Sequence, residues 1–264
     1  MATPGRRAAS RLFGWLADRR IPPRLRRLVY GGYCSFYDVD ASEVRLALGD
    51  HPSLGAFFVR RLKEGARVFP ADPRLLPAPA DGTLQSLDRV HEGSVLQAKG
   101  RPYLVRELLG EAGGGVELEG GFAWTIYLSP RDYHRVHAPD SGRLAAVSWF
   151  PGSRHSVNPK VLARRAGVLA SNERAVLRLE AECGTLFLVM VGALNVGRIR
   201  VVGVEPGRDG ALAPERRVAR GEELARFEMG STVVLLAPPG GPRPVDGLAP
   251  GRRLKMGEVI GVRA

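Results

Sequence analysis

Apolar residues follow two patterns along this 264-residue chain. Before residue 64 they recur at helical spacing; from Arg74 onward they gather in short runs set off by Gly and Pro. Leu12, Trp15 and Leu16 share one face of a first segment, and Leu25, Leu28 and Val29 one face of a second, with Pro22-Pro23 breaking the two. Ser42 and Ser53 stand where N-caps belong, before Glu43-Val44-Arg45-Leu46 and before Leu54 through Arg60, so 42–63 also reads as helical. Beyond that point, 122–128, 144–150, 175–179, 185–191, 196–204, 232–236 and 258–262 read as strands. A short helix is expected over 104–109, and Pro/Gly-rich loops over 205–221 and 238–251. This pattern predicts an α+β fold. Its body is β-rich and antiparallel, sandwich or barrel-like, over 64–264, with amphipathic helices over 1–63.

Charge changes the picture mainly at the N-terminus. The chain carries 39 Lys and Arg against 27 Asp and Glu, a net +12. Residues 1–30 alone hold eight arginines against the single acid Asp18. A basic amphipathic segment bearing Leu and Trp suits the headgroup plane of an anionic bilayer; an arm packed on the protein's own body is the alternative. The longest apolar run, 186–194, has nine residues, short of a membrane span, and reads as a core strand. No secretory signal pattern opens the chain. Cys34 and Cys183 stand far apart without metal-ligand spacing, as expected of two thiols in a reducing compartment. These features leave a cytosolic protein as the expectation, with attachment to the membrane surface open. A nucleic-acid-binding reading of the arginines finds no recognised module to support it.

The candidate chemistry lies in loops beside apolar runs. Asp81 sits in Pro79-Ala80-Asp81-Gly82, a tight turn before a strand. His134 and His137 lie three apart in Ser129-Pro130-Arg131-Asp132-Tyr133-His134-Arg135-Val136-His137, without the further ligands that a metal site needs. Ser231 follows Gly230 immediately before another β run. Asp81, His137 and Ser231 have the residue types of an orienter, a base and a nucleophile. That leaves a serine hydrolase open, although Ser231 is not in a GxSxG elbow and the pattern is not alternating βα.

In order along the chain, these motifs resemble the phosphatidylserine decarboxylase family. The resemblance runs from about Asp50 to the C-terminus. It rests on Phe57-Phe58-Val59-Arg60-Arg61-Leu62, Pro79-Ala80-Asp81-Gly82, Gln97-Ala98-Lys99-Gly100 and Tyr127 through His137. Further on come Ser156-Val157-Asn158-Pro159, Asn172-Glu173-Arg174, Val191-Gly192-Ala193 and Gly230-Ser231-Thr232. Two departures stand out: Met229 where the family usually has Leu, and Arg154-His155 before Ser156 where it usually has Leu and an aromatic residue.

The resemblance implies self-cleavage between Gly230 and Ser231, giving a large chain 1–230 and a small chain 231–264. Ser231 would become a covalent pyruvoyl cofactor, which forms a Schiff base with phosphatidylserine and releases CO2 to leave phosphatidylethanolamine. In that scheme Asp81 orients His137, His137 takes the Ser231 proton, and His134 returns a proton to the substrate α-carbon. The implied partners are phosphatidylserine, an anionic membrane surface and the two chains of one precursor, with a peripheral location on the cytoplasmic face of the cell membrane, where a diacyl substrate is met; a homodimer is allowed, and no nucleic acid or metal is expected.

Overall fold

The computed structural model describes residues 15–98, 101–193, 199–205, 210–228 and 231–263. Its centre is an eight-stranded, wholly antiparallel sheet. In spatial order the strands are Gly210–Val218, Gly142–Phe150, Arg174–Ala181, Gly184–Gly192, Ser231–Ala237, Phe122–Leu128, Gly82–Arg89 and Arg253–Leu254. Two three-stranded sheets join it: Leu75–Pro77 with Val259–Val262 and Arg243–Pro244, and Ile199–Val201 with Glu223–Phe227 and Arg135–His137. The architecture is a strand-rich α+β fold built in layers.

Both faces of the large sheet are covered, which explains why its central strands are continuous apolar runs. Along Ser231–Ala237 the side chains alternate. Val233 and Leu235 join a core with Leu76, Val136, Phe227 and Ile260 from the two smaller sheets. Val234 and Leu236 face a second core formed with Leu108 and Leu109 of the helix Val105–Leu109 and with Leu162, Val168 and Leu169. All seven residues of this strand are buried.

Before the sheets, helix Pro23–Tyr37 begins with Pro22 as N-cap and Pro23 in its first turn, where a missing N–H costs nothing. The Pro22-Pro23 break is thus present, and the helix runs on beyond Val29 to Tyr37. One face packs Tyr30 and Cys34 against Phe57 and Val39. Ser53 caps Leu54–Phe58 by accepting from the Ala56 N–H at 3.1 Å. Leu12 and the arginines before residue 15 lie outside the described residues.

Several expectations need correction. The stretch after Ser42 is no α-helix. Asp40 captures both the Ser42 N–H (2.9 Å) and its hydroxyl (2.6 Å), which makes a 3₁₀ turn at Ala41–Glu43 and leaves Val44 extended against Leu62. The expected loop 205–221 contains the edge strand Gly210–Val218. Its pairing shifts register between Ala211 and Arg216, where Pro214 falls, and a sheet edge tolerates such a break. Of the expected strand 196–204, Ile199–Val201 is a strand and 202–204 turn away from it; residues 194–198 lie outside the described residues.

Asp81-Gly82 looks like a turn pair, but glycine is needed here for another reason. A Cβ on Gly82 would stand 2.5 Å from the Tyr127 carbonyl oxygen and 2.7 Å from the Ile126 side chain. Gly82→Ala should therefore destabilise the fold by roughly 1–3 kcal/mol, the range for overpacking. Urea unfolding in a Ser231→Ala background, which keeps one chain, checks this; an unchanged midpoint would show that the strands separate freely.

Candidate active site

Ser231 opens the central strand, opposite Leu128 on one side and Gly192 on the other. It is 1% exposed, and among the described residues its hydroxyl has no hydrogen-bond partner. The neighbouring Thr232 hydroxyl is likewise buried and unpartnered. Buried hydroxyls left unsatisfied are costly, which makes Ser231 and Thr232 candidates for chemistry or for holding a ligand. Gly230 and Met229 lie outside the described residues.

Leu128, across from Ser231, leads into the loop that carries His134 and then into the strand Arg135–His137. Asp132 shapes this loop by accepting from both the Ser129 N–H and the Ser129 hydroxyl at 2.7 Å. Its backbone carbonyl then accepts from His134 Nδ1 at 2.8 Å, which fixes the tautomer and leaves Nε2 as a bare acceptor. His134 is fully buried, Nε2 has no partner among the described residues, and the Phe58 ring lies 3.9 Å away between centroids. Burial first, and the positive charge of Arg60 second, push its pKa down to about 3. At neutral pH His134 is a neutral base.

His137 is set in the same sense. Its Nδ1 donates to the Gly221 carbonyl at 2.7 Å, and the Tyr133 hydroxyl lies 3.4 Å from Nε2. Burial lowers its pKa against the opposing pull of that carbonyl and of Glu223.

The Asp81 carboxylate accepts from Arg67 Nε and from the Met256 N–H, each at 2.8 Å, while Arg67 also pairs with Glu43. Asp81 is near enough for its charge to act on His137, Tyr133 and Asp132. The structure therefore gathers Asp81 and His137 into one region without a hydrogen bond between them. Neither histidine is hydrogen-bonded to Ser231.

Several residues without an assigned role in the sequence reading also build the site. Arg135 grips both oxygens of Glu223 at 2.7 Å and donates to the Val59 carbonyl. Asn172 donates to the carbonyls of His155 and Gly192 at 2.8 Å, which holds the strand beside Ser231. Arg60 and Arg67 line a cleft of about 630 Å³, together with Asp81, Asp132, Tyr133 and Lys255. The partners of Arg60 and Arg67 lie far along the chain, and no local spacing announces them.

A buried serine at the head of a strand, two buried histidines and a charged cleft lined by Asp81 and Arg60 offer the residue types of acid–base and nucleophilic chemistry. The family model described as phosphatidylserine decarboxylase matches residues 54–262. The chain is 41% identical to the phosphatidylserine decarboxylase proenzyme of Halorhodospira halophila, over 94% of this chain and 87% of that protein. Against the proteins of the same name from Azotobacter vinelandii and an Anaeromyxobacter species, identity is 39% and 37%. Those alignments cover 96% of this chain and 92% and 93% of the relatives. The chain belongs to the phosphatidylserine decarboxylase family.

Because folding excludes a proton from His134, the unfolded chain binds more protons than the folded one between pH 6.5 and about 3. Stability should fall as pH drops through that window, by up to about 1.4 kcal/mol per pH unit for this one proton. His134→Gln in the Ser231→Ala background should flatten the slope accordingly. Equal slopes in urea titrations of the two proteins would show that His134 is not the group held neutral.

Proposed function

We propose that this chain matures by cutting itself between Gly230 and Ser231 and then decarboxylates phosphatidylserine through a pyruvoyl group at residue 231. The observation that carries the reading is the buried, unpartnered Ser231 hydroxyl at the head of the central strand, in a chain whose relatives are named proenzymes. In maturation the Ser231 oxygen attacks the Gly230 carbonyl and the peptide C–N bond gives way to an ester. Loss of the α-proton expels the Gly230 carboxylate, and hydrolysis of the resulting dehydroalanine releases ammonia and leaves a ketone.

The site fits that group. Residue 231 is buried at the head of the strand, its hydroxyl makes no bond among the described residues that conversion to a carbonyl would break, and His134 Nε2 is a buried acceptor likewise unengaged among them. Once formed, the pyruvoyl supplies the electron sink for the pair left when the substrate carboxylate departs as CO2. His137 is the base for Ser231, with Asp81 acting on it through charge. His134, neutral with a free Nε2, takes up a proton during substrate binding and returns it to the α-carbon.

One observation favours a second assignment. The Ser231 hydroxyl and His134 Nε2 are both unpartnered, whereas His137 Nε2 faces Tyr133. In that assignment His134 deprotonates Ser231.

Intact mass of the purified protein should show chains 1–230 and 231–264, the latter bearing a ketone, and Ser231→Ala should stay whole. Asp81→Asn and His137→Ala should accumulate uncut precursor. His134→Ala should cleave yet lose roughly a hundredfold or more in decarboxylation. Rapid cleavage in His137→Ala with a block in His134→Ala would transfer the base role to His134. A wild-type protein that stays whole and active would refute the pyruvoyl mechanism.

The reading includes an N-terminal membrane-associating region over 1–63 and the catalytic body over 64–264. No helix among the described residues is long and apolar enough to cross a membrane. Helix Pro23–Tyr37 nonetheless leaves Leu25, Leu28, Val29 and Phe36 exposed, Leu28 by 75% and Phe36 by 80%, while its opposite face is packed. Trp15 and Leu16 are about half exposed, at 51% and 54%, with the Arg19 guanidinium stacked on Trp15. These exposed groups favour contact with an anionic bilayer over packing of the arm on the body.

Leu28→Ala with Phe36→Ala should remove the salt-resistant part of binding to phosphatidylserine vesicles, since it deletes apolar area from the interface. Arg20→Glu with Arg24→Glu should weaken binding at low salt, where exposed charges are least screened. Arg26 is unsuitable for such a test because it holds the Ile21 and Gly49 carbonyls. Unaltered sedimentation of both double variants with the vesicles would place the contact elsewhere.

A further inference from the structure

Among the described residues, Arg60 is a buried cation without an anionic partner. It is 4% exposed, at the wall of the cleft that also holds Asp81, Asp132 and Tyr133. Its Nη2 donates to the backbone carbonyls of Arg131 (2.7 Å) and Asp132 (3.2 Å), while Nε and Nη1 have no partner. The nearby acids are engaged elsewhere: Asp81 with Arg67 and the Met256 N–H, Asp132 with Ser129. Arg67, in contrast, is paired with two carboxylates. A desolvated guanidinium with two free donors is costly unless an anion completes it. Its fork suits a phosphate or a carboxylate.

Arg60 also stands close to the chemistry. Its charge acts on His134, and the ring of Phe58, two residues earlier, packs against that imidazole at a tilt of 41°. On the decarboxylase reading above, on which this inference rests, the substrate headgroup offers both a phosphodiester and a carboxylate. The carboxylate loses its charge as CO2 forms, so a fixed cation on it would stabilise the ground state more than the transition state. The phosphodiester keeps its charge throughout, so a cation there binds without slowing the step. We infer that Arg60 is the positioning residue that holds the substrate phosphodiester through Nε and Nη1, with the carboxylate directed away from it.

The test uses soluble dihexanoyl phosphatidylserine for kinetics. It also uses glycerophosphoserine, inorganic phosphate and the phosphate-free O-methylserine as ligands of the uncleaved Ser231→Ala protein. Arg60→Gln should raise KM by roughly thirtyfold or more, with a much smaller change in kcat. It should weaken glycerophosphoserine similarly in calorimetry and leave O-methylserine unaffected. Arg60→Lys, which keeps the charge but not the fork, should fall between. Inorganic phosphate as tight as glycerophosphoserine would point to a free-phosphate site and overturn the headgroup assignment.

Equal weakening of O-methylserine would move Arg60 to the carboxylate and overturn the assignment, as would unchanged affinities. Self-cleavage and melting temperature report the fold: if both Arg60 variants stay uncut and melt early, Arg60 serves the fold and the inference fails. The titrations need no catalysis, so a wild-type protein without decarboxylase activity would sink the broader reading separately from the binding result.

Discussion

Strand Ser231–Ala237 is hydrogen-bonded along both edges and buried along its whole length, and the proposed chemistry begins at its first residue. A backbone cut just before such a strand removes one covalent link and leaves the ladder intact. The segment after Ser231 is anchored several times over. Arg253–Leu254 pairs with Gly82–Arg89, and Val259–Val262 lies between Leu75–Pro77 and Arg243–Pro244. The Trp124 indole N–H donates to the Ile260 carbonyl. Burial that would otherwise strand a serine hydroxyl thus also keeps a separated small chain in register.

The same constraint governs the electrostatics around it. A fully buried imidazole is held neutral, and one backbone bond from Nδ1 to a carbonyl selects the tautomer that leaves Nε2 free. Carboxylates in the region are not left alone. Asp81 is gripped by Arg67, Glu223 by Arg135, and Asp132 by its own loop. Arg174 shows how a buried cation is satisfied without acids, through the carbonyls of Glu107, Leu108 and Ala170. Arg60 has two carbonyls and two free donors, which sets it apart from both arrangements.

Residues whose role is local were legible in the chain. Strand positions flanked by turns, the Ser53 cap and the Pro22-Pro23 break all act within a few residues, and pattern exposes them. Asp81, His134, His137 and Ser231 stood out by type and by context. What pattern could not expose was set by distant partners. Arg60 and Asp132 are 72 positions apart, and Arg135 and Glu223 88. The strand Gly210–Val218 was hidden because Pro214 and nearby glycines carry loop chemistry, which only an edge position permits. Ser42 had the residue type of a cap, but Asp40 two residues earlier competed for its N–H and won.

Helix Pro23–Tyr37 links the surface of the molecule to the site. One face is exposed and apolar, while from the other the Tyr33 hydroxyl donates to the Pro130 carbonyl in the loop that carries His134. Asp38, the left-handed cap of the helix, pairs with Arg131 in the same loop at 2.7 Å. The two tethers differ in character. The ion pair is largely exposed and contributes little in water. The tyrosine bond is partly buried, and Tyr33 also packs against Phe57 in the element that leads to Arg60. Displacement of the helix would therefore strain the loop at Pro130 and the approach to Arg60 together. An apolar helix face seated in a bilayer, on the reading above, would hold the cleft at the interface where a diacyl substrate is met.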